Sequence, residues 1–211
     1  MTTVDRLIEG DGSLAIVIRN YLDTEVGKEL YNNLMKKTQW HDEIIYNGKL
    51  AKQQRKICLC GDSDFIYDHE DVKIKVHCWI PEIKDLADKL EKELPTFNEL
   101  YNIPESLHFP TGEKLFNSCL LNFYRDGKDF FPLHSDLHLI GPNRAVINIS
   151  LGESRFFYFR PKNNLSQMIG TSLNNGDCLI MLGNTQDQYL HCMPSVETAG
   201  PRISITLRSF A

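Results

Sequence analysis

Residues 118–209 contain a series of short strand-like segments in which polar residues fall on single faces. In residues 201–208 (PRISITLR), polar and apolar side chains alternate. Residues two apart in a β-strand point to the same face of a sheet, so the polar set is predicted to share one face. That set comprises Arg202, Ser204, Thr206 and Arg208. The alternation predicts a β-sheet with one chemically distinctive face.

The same two-residue spacing recurs upstream, in Asn122 with Tyr124 and in His134 with Asp136. A polar strand face often meets water, and for any single strand that is the simpler interpretation. Solvent-facing strands more often carry Lys, Glu and Thr than this selection of His, Asp, Asn, Tyr and Arg. Taken together, the polar faces therefore indicate one interior site.

His134, Asp136 and His191 are candidate metal ligands. Two histidines and one carboxylate fill half of an octahedral shell, the arrangement by which non-haem Fe(II) oxygenases admit O2 and a co-substrate. Arg202 and Arg208 follow the last candidate ligand, and a guanidinium matches a carboxylate at two points. Two such groups indicate a co-substrate with two carboxylates, which favours 2-oxoglutarate. For each arginine the alternative is an internal ion pair with Asp or Glu.

These residues stand within motifs that resemble the AlkB-like Fe(II)/2-oxoglutarate dioxygenases. HxD alone occurs often by chance, whereas HxD with a distal His, an Arg-x5-Arg strand and an upstream Asn-x-Tyr is much more specific. The matching segments are residues 121–128 (LNFYRDGK), 134–136 (HSD), 149–155 (ISLGESR), 157–160 (FYFR), 176–182 (GDCLIML), 191–194 (HCMP) and 201–208.

The resemblance implies an α+β chain with a double-stranded β-helix (jelly roll, cupin-like) core, supporting N-terminal helices and a substrate-recognition lid. It implies one domain over residues 1–211, with helices and lid to about residue 115 and the catalytic core from about residue 116. The implied cofactors are Fe(II), 2-oxoglutarate and O2. Arg202 would hold the distal carboxylate of 2-oxoglutarate and Arg208 the one near the metal, with hydrogen bonds from Asn122, Tyr124 and Thr206.

The implied activity is oxidative demethylation of N-alkylated bases, such as 1-methyladenine and 3-methylcytosine, in DNA or RNA. Hydroxylation of an N-methyl group gives an unstable hemiaminal that releases formaldehyde, alongside succinate and CO2. Two alternatives stay open. The same machinery can act on a protein side chain or a small metabolite, or the chain can be a catalytically silent member that binds a ligand or partner.

Four residues are candidates for binding the substrate, namely Arg55, Tyr67, His69 and His138. Arg55 matches an arginine of the family's lid strand, and residues 67–69 match an aromatic pair that stacks an extruded base. DNA-repair members carry an acidic residue where this chain has His138, which puts the identity of the base in doubt. Asn47 lies where some family members insert a hydrophobic residue into a duplex, and an asparagine is poorly suited to that role. Single-stranded DNA or RNA is therefore the expected partner.

Charge and cysteine content restrict the remaining possibilities. The net charge of −5 does not indicate a nucleic-acid binder, so such binding needs a local patch. Residues 49–56 (KLAKQQRK) are one candidate, although a run like this is more often a solvated loop.

A zinc site at Cys58, Cys60, His77 and Cys78 is an alternative use of the cysteines, but the spacing of these residues is poor for tetrahedral zinc. The thiols are expected to be reduced. Without a long apolar run, no membrane contact is expected, and we predict an intracellular monomer, cytoplasmic or nuclear.

Secondary structure can be outlined from the same pattern. A strand is predicted over residues 14–22, a helix from Asp23 or Thr24 to about Lys37, and a second helix over residues 81–94. Residues 95–114, with three prolines, are predicted to be a long connection. Further strands are predicted near residues 118–125, 145–151, 155–160, 177–182, 187–193 and 201–209.

Overall fold

The computed structural model describes residues 3–62, 68–69, 72–136, 139, 141 and 144–210. Its helices are α1 (Thr24–Lys37), α2 (Pro81–Leu100) and α3 (Thr185–Gln188), with a short 3-10 helix at Glu105–Leu107. Its strands are β1 (Val4–Gly10), β2 (Ser13–Ile18), β3 (His41–Tyr46), β4 (Lys49–Gly61), β5 (Asp68–His69), β6 (Val72–Lys73), β7 (Val76–Cys78), β8 (Ser118–Tyr124), β9 (Phe131–His134), β10 (Val146–Gly152), β11 (Arg155–Pro161), β12 (Ile169–Leu173), β13 (Cys178–Gly183), β14 (Tyr189–Met193) and β15 (Arg202–Arg208).

Within the described residues the strands form two sheets. The large sheet has 11 strands in the order β1-β2-β13-β10-β15-β8-β4-β3-β6-β5, with β7 paired to β4. The small sheet has the order β12-β11-β14-β9. A core of apolar side chains from both sheets includes Val17 and Leu179 of the large sheet and Phe159 and Leu173 of the small one. The two sheets therefore pack face to face.

The other face of the large sheet packs against α1 and α2. Leu34 of α1 and Leu90 of α2 join Ile147, Ile149 and Ile205 of the sheet in a second apolar core. Asp23 caps α1 by accepting a hydrogen bond from the Glu25 backbone N–H at 2.9 Å. The predicted α1 is thus confirmed, together with its cap.

The predicted end of the second helix was wrong. Helix α2 continues to Leu100 and contains Pro95, which the sequence analysis placed at the start of a connection. Proline in a helix interior removes one backbone hydrogen bond and clashes with the carbonyl four residues earlier. Phe97 explains why the helix continues, because its ring is 6% exposed and makes edge contacts with Tyr21 and Tyr101. Burial of that turn outweighs the local cost of the proline.

The interpretation of residues 49–56 as a solvated loop was also wrong. They form the first half of β4, which pairs with β3 through a hairpin at Asn47 and Gly48. Both turn residues have positive φ angles, 51° and 68°, as a two-residue hairpin turn requires. The second half of β4 pairs with β8. The charged strand therefore connects the outer hairpin to the middle of the large sheet.

The predicted strands after residue 118 are confirmed, with ends shifted by a residue or two. The predicted strand at residues 14–22 is shorter, since β2 ends at Ile18. Strands β1, β9 and β12 and the four-residue helix α3 were not predicted from the sequence. No helix of the described residues is long and apolar enough to span a membrane.

Register places the polar residues of three neighbouring strands side by side. In β15, Ser204 lies opposite Asn122 of β8 on one side and Ser150 of β10 on the other. The alternating polar set of β15 is buried, from 0% exposure at Arg202 to 7% at Thr206. The interpretation that such faces meet water therefore fails for this strand, and the prediction of an interior polar face is confirmed.

Candidate active site

The three predicted metal ligands meet at the edge of the small sheet formed by β14 and β9. His134 of β9 lies directly opposite His191 of β14, and their ring centroids are 4.2 Å apart. Asp136 follows His134 by two residues, and its Oδ2 is 4.0 Å from His191 Nε2. The Asp136 backbone N–H donates to Gln186 Oε1 at 2.9 Å, which ties this segment to α3. Strand pairing and one side-chain hydrogen bond thus bring together residues far apart in sequence.

Both histidines are held as neutral imidazoles. Burial lowers the pKa of His191 to about 3, with a smaller contribution from Lys162. Burial also lowers the pKa of His134, and the neighbouring His191 adds to that shift. His134 Nδ1 lies 2.8 Å from the Pro132 carbonyl oxygen, which only an N–H can satisfy, so Nε2 carries the lone pair. Neutral imidazole is the form of histidine that ligates a metal.

Asp136 is paired with Arg208, the last residue of β15. Arg208 Nη1 donates to Asp136 Oδ1, and both side chains are nearly buried, at 7% and 8% exposure. The internal ion pair considered for each arginine therefore occurs at Arg208. In the described part of the chain, no three His, Cys, Asp or Glu side chains are grouped closely enough to form a metal site as they stand.

A small cavity surrounds these groups between the two sheets. Its free volume is about 30 Å³. Arg208 and Asp136 both line the cavity and are paired with each other, so a carboxylate that binds Arg208 there has to displace Asp136. The lining residues are Leu120, Asn122, Tyr124, Phe131, His134, Asp136, Asn148, Phe157, Met181, His191, Met193, Ser204, Thr206 and Arg208.

Arg202 differs from Arg208 in having no carboxylate partner among the described residues. It is fully buried, with Nη2 donating to Ser150 Oγ at 2.7 Å and Nη1 lying 3.5 Å from the sulfur of Met193. Its Nε–H has no partner. Burial lowers the pKa of Arg202 to about 10. The guanidinium lies behind two lining residues, Tyr124 and Met193, and is 5.4 Å from the Tyr124 ring.

The remaining predicted co-substrate residues line the same cavity. Asn122, Tyr124 and Thr206 are 3%, 2% and 7% exposed. Asn148 was not predicted as a site residue, although its Nδ2 donates to Ser204 Oγ at 2.6 Å and to Thr206 Oγ1 at 3.0 Å. A signal for it exists in the sequence, because Asn148 and Ser150 alternate with apolar residues in β10 as the polar residues do in β15.

Only one of the four predicted substrate-binding residues can be placed beside the cavity. Arg55 is 4% exposed, and its Nε donates to Asn122 Oδ1 at 2.7 Å. The backbone of His69 lies in β5, paired with Val72. Tyr67 and His138 lie outside the described residues.

The zinc alternative does not hold within the described residues. Cys58 and Cys60 are buried in the helix-side core, whereas Cys78 is exposed. Burial raises the pKa of the Cys58 thiol to about 12, which opposes the thiolate form that zinc requires. The buried cysteines therefore serve as apolar packing.

The donor set fits Fe(II) and an anionic co-substrate. Two neutral imidazoles and one carboxylate are the ligands that suit a non-haem Fe(II) centre with open positions. A fully buried guanidinium without a counter-charge is costly, and a carboxylate bound next to it removes that cost. The orphaned Nε–H of Arg202 supplies one donor for such a carboxylate.

Comparison with known proteins gives the same assignment. Residues 15–208 match the family model described as the 2OG-Fe(II) oxygenase superfamily. A relative from Arabidopsis thaliana named DNA oxidative demethylase ALKBH2 is 25% identical over 94% of this chain and 67% of its own length. The mouse protein named alpha-ketoglutarate-dependent dioxygenase alkB homolog 3 is 25% identical over 90% of this chain. The chain covers 63% of that mouse protein, so it spans about two thirds of the length of both relatives.

A solved structure has the same fold. The structure of OsALKBH1 superposes with a TM-score of 0.66, covering 97% of this chain and 100% of that chain at 16% sequence identity. This match and the two packed sheets confirm the predicted double-stranded β-helix core.

Proposed function

The chain belongs to the 2OG-Fe(II) oxygenase superfamily and is an AlkB-like dioxygenase that uses Fe(II), 2-oxoglutarate and O2. From this membership we propose that it demethylates N-alkylated bases in single-stranded DNA or RNA. The observation that carries the proposal is a buried cavity in which two neutral histidines and Asp136 adjoin arginines on one strand. Behind two of its lining residues, Tyr124 and Met193, Arg202 is a buried cation that lacks a carboxylate partner among the described residues.

We assign the metal to His134, Asp136 and His191. The low pKa of His191, about 3, means that this imidazole is unprotonated at neutral pH and can ligate without first losing a proton. Asp136 Oδ2 and His191 Nε2 are 4.0 Å apart, so the two side chains need to move only slightly toward each other to bind the same ion. Release of Asp136 from Arg208 frees the carboxylate for that movement.

We assign 2-oxoglutarate to the polar face of β8 and β15. Arg202 holds its distal carboxylate, and Arg208, once released from Asp136, holds the carboxylate near the metal. Asn122, Tyr124 and Thr206 add hydrogen bonds from neutral groups, which fix the orientation of the co-substrate in a desolvated site. Arg208 thus exchanges an internal carboxylate for that of the co-substrate, so little net charge is buried or exposed on binding.

Once bound, Fe(II), 2-oxoglutarate and O2 supply the oxidation of a C–H bond, with succinate and CO2 as by-products. The residues of the chain position the reactants and exclude water. Phe131 and Phe157 flank the histidines, with Phe131 stacked on His134 and Phe157 on His191. Their rings make the walls of the cavity apolar, which strengthens every charge interaction inside it.

A methylated base is the proposed substrate. One relative is named as a DNA oxidative demethylase, which supports a nucleic acid as the target. Exposed lysines on and beside β4 and β6 give a local cationic surface on a chain of net charge −5. Those lysines are Lys49 and Lys52 of β4, Lys73 of β6 and Lys75, which lies between β6 and β7. Tyr67, His69 and His138 stay predicted contacts for the base.

The test is a demethylation assay with Fe(II), ascorbate and 2-oxoglutarate. Single-stranded DNA and RNA oligonucleotides carrying 1-methyladenine or 3-methylcytosine are followed by mass spectrometry, with His134→Ala as the control. We expect loss of the methyl group and release of formaldehyde, both abolished in the variant. If succinate formed while every oligonucleotide stayed methylated, the assignment as an oxygenase would stand and the proposal of a methylated base as substrate would be rejected. Proteins and metabolites would then be screened as substrates.

A further inference from the structure

Arg55 is a buried cation on the strand that joins the outer hairpin to the large sheet. It precedes the segment of β4 that pairs with β8, and its side chain is 4% exposed. No Asp or Glu of the described residues forms an ion pair with it. Instead, its Nη1 donates to Gln53 Oε1 at 3.2 Å and its Nε to Asn122 Oδ1 at 2.7 Å. A buried cation held by amides has a role other than ion pairing.

The contact with Asn122 fixes which way that amide points. A guanidinium has only donors, so the Asn122 atom that faces it must be the carbonyl oxygen. The amide –NH2 group of Asn122 is therefore turned away from Arg55. Because Asn122 lines the cavity, its N–H donors are available to a carboxylate there. Without Arg55 the amide is free to flip and present its oxygen, which repels a carboxylate.

Arg55 also supports the metal-ligand side of the cavity through Phe131. Its guanidinium carbon lies 3.5 Å from the centroid of the Phe131 ring. His134 stacks on the same ring, with centroids 3.7 Å apart and planes inclined by 25°. Two planar groups this close to one ring cannot share a face, so Phe131 is sandwiched between Arg55 and His134. The stack holds the His134 ring against rotation about its side-chain bonds.

We propose that Arg55 is a positioning residue for 2-oxoglutarate, which turns the N–H donors of Asn122 toward the co-substrate and holds Phe131 against His134. This inference rests on the proposed function, because it takes Asn122 as a ligand of 2-oxoglutarate. It differs from the role implied by family resemblance, in which Arg55 contacts the substrate. The two roles predict different kinetic changes. A positioning role weakens 2-oxoglutarate binding, whereas a contact with the substrate weakens oligonucleotide binding.

The test begins with equilibrium binding in the absence of any nucleic acid. 2-Oxoglutarate is titrated calorimetrically into Mn(II)-loaded wild type, Arg55→Gln and the control Lys56→Gln. Lys56 is the next residue of β4, points to the other face and has its Nζ 3.9 Å from Asp42. We expect the Kd of Arg55→Gln to rise about tenfold, the size of one hydrogen bond to a charged group, and that of Lys56→Gln to stay within about twofold.

A double-mutant cycle then tests whether Arg55 acts through Asn122. If it does, Arg55→Gln combined with Asn122→Ala binds 2-oxoglutarate no more weakly than Asn122→Ala alone. In turnover, Arg55→Gln is expected to raise KM for 2-oxoglutarate while KM for the methylated oligonucleotide stays unchanged. Arg55→Lys should fail to restore binding, since an ammonium lacks the fixed Nε–H. Thermal unfolding of each variant confirms that it is folded.

Two results would overturn the inference, and they can be told apart from failure of the proposed function. Unchanged 2-oxoglutarate affinity in Arg55→Gln, with a raised KM for the oligonucleotide, would make Arg55 a substrate contact. Additive losses in the double variant would mean that Arg55 does not act through Asn122. If wild type itself bound no 2-oxoglutarate, the proposed function would fall and this inference with it.

Discussion

The two faces of the large sheet are built from the same strands but have opposite effects on the stability of the fold. In β15, Ile203, Ile205 and Leu207 point to the helices and are fully buried among apolar side chains. The residues between them point to the cavity and are also buried, but are polar or charged. Burial of apolar surface stabilises the fold, whereas burial of an unpaired cation opposes it. In β15, therefore, the side chains that face the helices stabilise the fold, whereas the polar and charged side chains that face the cavity are suited to binding a ligand at a cost in stability.

The largest effect is expected from the cavity face, in Arg202→Met. Loss of the buried guanidinium should raise the Kd for 2-oxoglutarate at least about 100-fold, or about 3 kcal/mol. The free energy of unfolding should stay the same or rise, since an uncompensated buried charge is removed. Calorimetric titration and urea unfolding measure the two quantities. The control Arg160→Met, which removes a half-buried arginine from the outer side of β11, should change neither quantity by much. A strongly destabilised Arg202→Met would show that the buried guanidinium stabilises the fold, contrary to this account.

The reverse result is expected for Ile205→Ala on the same strand. Removing this fully buried side chain from the helix-side core should lower the free energy of unfolding by about 3 kcal/mol, through lost burial and the cavity left behind. The Kd for 2-oxoglutarate of the folded protein should stay close to that of wild type. Urea unfolding followed by circular dichroism gives the first number. A large loss of affinity with little loss of stability would contradict the division between the faces.

Asn148→Ala should have an intermediate effect on both quantities. Its Nδ2 donates to Ser204 and Thr206 on the cavity face, so its removal should cost about 1–2 kcal/mol of stability and weaken 2-oxoglutarate several-fold. Thermal unfolding and titration measure these changes. Ser172→Ala, on the small sheet, is the control for loss of one polar group. If the substitution lowered stability but left the affinity for 2-oxoglutarate unchanged, the hydrogen bonds of Asn148 would have no role in binding.

The smallest effect is expected for Pro95→Ala in α2. The substitution restores a backbone N–H in the helix interior and should raise the free energy of unfolding by about 1 kcal/mol. Pro95 belongs to the helix layer, so the affinity for 2-oxoglutarate should not change. Urea unfolding is the measurement. A destabilised variant would show that the proline shapes the helix for packing.

The alternation of polar and apolar residues explains how much of the site could be predicted. It revealed the cavity face of β15 and of β8, because strand geometry maps a two-residue period directly onto a face. It could not reveal the pairing of Arg208 with Asp136, 72 residues apart, since only the tertiary structure brings β15 beside the segment after β9. Asn148 shows the same period and could have been found by the same argument.

Local signals were least reliable where packing overrides them. Pro95 indicated the end of a helix, and the cations of residues 49–56 indicated a loop. Tertiary contacts decided both cases, through the burial of Phe97 and the pairing of β4 with β3 and β8. Arg55 is the most informative example, because a residue of an apparent surface charge run is buried beside the cavity. Its charge and its place in the run do not distinguish it from the neighbouring lysines, and only the family resemblance singled it out.

The most direct test of the central claim is anomalous scattering from crystals grown with Mn(II) and 2-oxoglutarate. We predict a manganese peak within about 2.2 Å of His134, His191 and the Asp136 carboxylate. A carboxylate of 2-oxoglutarate should lie against Arg202, and Arg208 should have separated from Asp136. Manganese bound elsewhere, or an Asp136 still paired with Arg208 and away from the metal, would contradict the assignment of this cavity as the active site.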